Sequence, residues 1–161
     1  MAPDKELTRY RVLFHSDGSH TIEVSLGSIE DAAQAPALAE VIERNIEAYK
    51  MVSRIRAACS LVSGAYVLPK KKDTSDQLRL AAMLGAAYPD GMLKSTVKRE
   101  LGIASSSLDA YVNWETKETS KYINYDKTSK KLFISLDGVE WVCSQLDKRK
   151  TKAASAAKKQ T

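Results

Sequence analysis

Two cysteines and two histidines in 161 residues leave little material for a metal centre. Cys59 and Cys143 lie far apart, each inside an apolar helical pattern and without Cys-x-x-Cys spacing, so both are expected to be buried free thiols. His15 and His20 flank one turn and are expected to sit across from each other in a hairpin, where further metal ligands are lacking. A Gly-rich phosphate loop, a Gly-x-Ser-x-Gly elbow and any histidine outside that hairpin are also missing. The chain is therefore expected not to be an enzyme, and to need no cofactor or metal. No apolar run approaches the ~18–20 residues of a membrane span. The opening "MAPDKELTRYR" lacks the apolar segment of a secretory signal, which points to a cytoplasmic or nucleoid protein without a membrane partner. Positive charge is absent over one particular stretch: from Leu101 to Glu115 there is no Lys or Arg, and Asp109 and Glu115 are the only charges.

What remains is the composition of a folded protein, 43% hydrophobic and 28% charged, with room for one ordinary or two small domains. The net charge of +5 is uneven. Residues 1–63 hold seven basic and nine acidic side chains, and residues 64–161 hold eighteen and eleven, so the whole surplus belongs to the C-terminal part. Such asymmetry suits a polyanionic partner for that part, or simply a solvated surface.

Along the chain, "YRVLFHSDGSHTIEV" alternates Tyr10, Val12 and Phe14, then Ile22 and Val24, around an Asp-Gly turn, which predicts a β-hairpin. Ser28 and Asp31 suggest a helical turn near residues 29–34, and Pro36 suits the first turn of a long helix reaching about Val62, with Gly64 as its stop. The stripe Leu38, Val41, Ile42, Val52 and Ile55 on that helix is too long for a two-stranded hairpin to cover, so residues 1–68 are expected to dimerise or to sense a signal; packing of the stripe within its own chain is the alternative. Pro69 to Asp73, with Lys70, Lys71 and Lys72, reads as a basic linker. From Thr74 follow a helix closed by "YPDG", a helix from Lys94 to Leu101, a turn at Gly102 and a helix from Ser105 to about Lys121. Two short strands around a polar turn and a final helix bearing Val139, Val142, Cys143 and Leu146 complete the unit. Residues 148–161 have no large apolar side chain and are expected to form a disordered basic tail. The fold class is α+β.

With Gly102 at the turn, Val97, Leu101, Ile103, Leu108 and Tyr111 all fall on core positions. "TVKRELGIASSSLDAYVNWE" resembles the helix-turn-helix of winged-helix transcription regulators, and "KLFISLDGVEWV" resembles the second wing strand and closing helix of such domains, over residues 74–147. The resemblance implies a C-terminal winged helix-turn-helix behind an N-terminal dimerising or sensing module. Lys98 takes a position where these motifs usually carry a small residue, and its stem is expected to carry the ammonium outward. The exposed face of the third helix then comprises Ser105, Ser106, Asp109, Ala110, Asn113 and Lys117.

Bases can be read without Arg: Asn pairs with adenine, Ser donates or accepts, and Asp accepts from cytosine. Ser105, Ser106, Asp109 and Asn113 are the candidate base readers. Lys94, Lys98, Arg99, Lys117, Lys121, Lys127, Lys130 and Lys131 are the candidate phosphate contacts, which supply most of the affinity. The expected function is sequence-specific binding of double-stranded DNA by a homodimeric transcription regulator. The alternative is a winged helix that docks proteins without reading bases.

Overall fold

The computed structural model describes residues 10–16, 20–26, 33–113 and 121–158. The chain divides into two units, Met1–Glu47 and Ala48–Thr161. The second therefore begins inside the long helix, well before the expected boundary at residue 68. The class is α+β, with five helices and small antiparallel sheets among the described residues.

In the first unit, strands β1 (Tyr10–Ser16) and β2 (His20–Leu26) form the expected hairpin, with Val12 opposite Val24 and Phe14 opposite Ile22. His15 is the partner of Thr21 and His20 of Ser16, so the two histidines are not opposite each other as expected. The expected turn at 29–34 lies mostly outside the described residues. Helix α1 (Ala35–Ala58) has Pro36 in its first turn, where a missing N–H costs nothing. Its residues to Glu47 belong to the first unit and those from Ala48 to the second.

Helix α1 ends four residues earlier than its apolar pattern suggested. Residues Ser60–Val62 (β3) and Ala65–Val67 (β4) form a tight hairpin instead. Ser63 and Gly64 both take positive φ (48° and 81°), the conformation that reverses two twisted strands in two residues. Gly64 thus turns a hairpin and does not stop a helix. Val67 and Leu68, directly before the expected linker at Pro69–Asp73, are buried in the core.

Helix α2 (Asp76–Ala86) is the centre of the second unit, buried continuously from Leu78 to Ala86. The Ser75 hydroxyl accepts from the Leu78 N–H at 3.2 Å and caps its start. Arg56 of α1 donates to the Ala86 carbonyl at 2.8 Å at the other end, where a cation suits the helix dipole. A Cβ on Gly85 would come within 2.9 Å of the Ile55 side chain, which shows how closely α1 presses on α2. Arg79 is 7% exposed and is satisfied by the Leu68 carbonyl, Asp76 and the Leu101 carbonyl, joining three segments through one guanidinium.

Strand β5 (Met92–Leu93) leads into α3 (Lys94–Leu101), and Gly102 closes that helix at φ 64°. Helix α4 (Ser105–Asn113) follows, then β6 (Ile123–Asp126), β7 (Lys131–Ile134) and α5 (Leu136–Lys158). The sheet order is β5-β7-β6, with Leu132 between Met92 and Tyr125. Leu80, Met83, Leu84, Val97, Leu108, Ile123, Leu132, Val139 and Val142 fill the space between the helices and this sheet.

Over its described residues the expected disordered tail is helical instead: α5 continues without a break to Lys158, and residues 159–161 lie outside the described residues. Its Ala, Lys and Arg residues are strong helix formers, and a lack of apolar side chains prevents packing but not helix formation. Arg149 on the extension donates to Asp73 at 2.9 Å, anchoring the helix beyond its apolar face.

Candidate nucleic-acid interface

The turn between α3 and α4 is built as the sequence suggested. Val97, Leu101, Ile103 and Leu108 are buried, and Tyr111 is half-buried. Gly102 adopts the left-handed conformation with its N–H on the Lys98 carbonyl at 3.0 Å. The Ala104 carbonyl accepts from Leu108, which leaves the first-turn N–H groups of α4 without helical partners. Ser105 and Ser106 are exposed on that turn. Ser95, Lys98, Arg99, Gly102, Ile103 and Ala104 line a shallow depression beside it.

Asp109 is not free to read a base as supposed. It forms a close ion pair with Lys94, the first residue of α3, and the Lys94 ammonium also lies 5.1 Å from the centre of the Tyr125 ring. The pair and the ring engage both side chains, so Lys94 is likewise not a free phosphate ligand. This pair neutralises the one described charge on α4. The side chain of Asn113 and all of Lys117 lie outside the described residues.

Of the remaining cations, Lys98, Lys127 and Lys130 are exposed and have no ion pair among the described residues. Arg99 is exposed but donates to Glu100 at 2.8 Å. Lys121 lies 4.9 Å from the Tyr122 ring centre. Lys131 turns back, its ammonium 3.4 Å from the Asp90 carbonyl. Among the candidate phosphate contacts, the free positive side chains are thus Lys98 on α3 and Lys127 and Lys130 at the turn between β6 and β7.

Asp126 organises that turn. It accepts from the Ser129 hydroxyl at 2.6 Å and from the N–H groups of Thr128 and Ser129 at 3.0 and 3.2 Å. These bonds, the Ser129 hydroxyl first, hold its carboxyl below the ordinary value of 3.8. A lowered value means that the ionised form is the one the folded turn favours. Its contribution is complete above the unfolded value and is lost as the pH falls through the folded one. The Thr128 and Ser129 amide resonances should therefore hold steady from pH 7 to about 5 and move only below about 4. A midpoint above that range would show that the carboxylate does not hold the turn.

The structure gives a different account of the expected dimer stripe. Val52 and Ile55 are 2% and 0% exposed within their own chain, packed in the core of the second unit, so they cannot also cover a partner. Leu38 and Val41 are 47% and 55% exposed, and Ile42 is half-buried. Of the two thiols, Cys143 is buried and Cys59 half-buried, and burial pushes Cys59 up to about 11. No helix among the described residues is long and apolar enough to cross a membrane.

Arg79 and the Lys94–Asp109 pair escaped the sequence reading because both depend on contacts between separate elements. No protein family, curated protein or solved structure matches this chain.

Proposed function

We propose that residues 74–147 are a winged helix-turn-helix that binds double-stranded DNA, with α4 presented to the major groove and the β6–β7 turn as the wing. The observation that carries this reading is the joint between α3 and α4. A left-handed glycine, four buried apolar side chains around it and an exposed serine turn hold α4 with its N-terminus outward. Lys98, Lys127 and Lys130 supply unpaired positive charge for phosphates, and the N–H groups opening α4 add donors suited to a phosphate oxygen. Ser105, Ser106 and Asn113 are the proposed base readers. The protein would then act as a transcription regulator in the cytoplasm or nucleoid. Pairing of two copies is proposed through the exposed Leu38 and Val41 alone, since the rest of the stripe serves the chain's own core.

Neutralisation of Lys94 by Asp109 favours a second reading, in which the nearly uncharged α4 docks a protein. One substitution separates the two. Asp109→Asn releases Lys94 and removes a negative charge from the proposed interface, so random duplex should bind more tightly, with a salt slope steeper by about 1. If DNA affinity stays the same in a gel-shift titration, the docking reading is the better one.

A further inference from the structure

A cavity of about 300 Å³ lies between the end of α1, the chain from Leu68 to Asp73, and α5. Its buried lining is apolar, with Leu68 and Cys143 and, half-buried beside them, Ala58 and Leu146. Burial raises the Cys143 thiol above its ordinary value, so it stays neutral, and it donates to the Met51 carbonyl at 3.7 Å.

The exposed lining is charged. Arg54 holds Asp147 through two bonds of 2.7 and 2.9 Å, and Arg149 holds Asp73 at 2.9 Å together with the Thr74 hydroxyl. Lys71 and Lys150 also line the cavity and have no ion pair among the described residues. Four cations thus face two carboxylates, and both carboxylates are already engaged. An apolar floor with a few placed polar groups, at the lower end of the ~300–1,000 Å³ range, is the build of a small-molecule site. A surplus of positive charge at its rim selects an anion.

We propose that this cavity binds a small amphipathic anion, a short-chain or aromatic carboxylate or sulfonate, with its apolar body on Leu68 and Leu146 and its head among the rim cations. Nucleic acid fits less well, because a phosphate backbone has no use for the apolar floor. Arg149 also ties Asp73 and Thr74, directly before the Ser75 cap of α2, so a bound head that competes with Asp73 acts on the start of the unit's central helix. The site stands on its own lining and does not depend on the DNA reading.

The test uses the full chain and the fluorescent probe 8-anilinonaphthalene-1-sulfonate. The unmodified protein should bind about one equivalent, and octanoate should displace it while octanol and inorganic phosphate at equal concentration should not. The double substitution Lys71→Glu with Lys150→Glu, at exposed unpaired positions, should weaken the probe roughly tenfold or more by reversing the rim charge. Ala153→Trp, exposed on α5 and lining the cavity, should block the probe while leaving the thermal melt unchanged. Unchanged probe binding in both variants would overturn the proposal, as would equal displacement by octanol or by phosphate alone.

Discussion

Val52→Asp should unfold the second unit and should not yield a well-folded monomer. Val52 is 2% exposed, beside Ile55 at 0%, in the core that α1 shares with α2. A carboxylate there would lose its water and would also displace an apolar side chain, a combination that costs about 4–5 kcal/mol or more. That is a large share of the ~5–15 kcal/mol that holds an ordinary domain together. Circular dichroism should show much of the helical signal lost or melting far earlier than in the unmodified chain. An interface role predicts the opposite: a fully folded variant that sediments as one copy where the unmodified chain sediments as two. Leu38→Asp is the companion variant. At 47% exposure it should leave the melt nearly unchanged, and it should dissociate any dimer that forms through that face.

The second large effect concerns affinity. Lys98→Gln, Lys127→Gln and Lys130→Asn together should remove the free cations of the proposed interface without disturbing a single described ion pair. Asn is chosen at Lys130 because that residue sits at φ 56°, a conformation Asn tolerates better than most residues. Each phosphate contact contributes a little under one unit of salt slope, so the triple variant should lose up to ~3 units and on the order of a hundredfold in affinity at low salt. The loss should be equal for all duplexes, because phosphates carry no sequence. If affinity falls for one sequence alone, these lysines read bases and the assignment of roles is wrong.

Much of the second unit was legible because its signals are local. Gly102 marks a left-handed turn wherever it stands, and the apolar spacing around it places Val97, Leu101, Ile103 and Leu108 without knowledge of their partners. The 60–67 hairpin was not legible: "SLVSGAYV" continues the apolar period of α1, and only packing against the core decides that the chain reverses at Ser63 and Gly64. The helical extension to Lys158 was missed for a related reason. Its polarity argued against burial, while its helix propensity and the Arg149–Asp73 tie favoured order at the surface.

The candidate site divides in the same way. Which residues α4 exposes could be counted from the helical repeat, but which charges cancel could not. Lys94 and Asp109 belong to different helices and meet only because the turn at Gly102 brings α3 and α4 together. A sequence counts both as available, whereas the fold gives each to the other.

The central claim is best tested by titrating the unmodified full chain against a random-sequence duplex over a range of salt concentrations. Binding that weakens steadily with salt, with a log–log slope of about −3 or steeper, is the result expected of Lys98, Lys127, Lys130 and the flanking cations on phosphates. A slope near zero, or no binding at 50 mM salt where such contacts are strongest, would contradict a DNA-binding function and leave α4 as a surface for a protein partner.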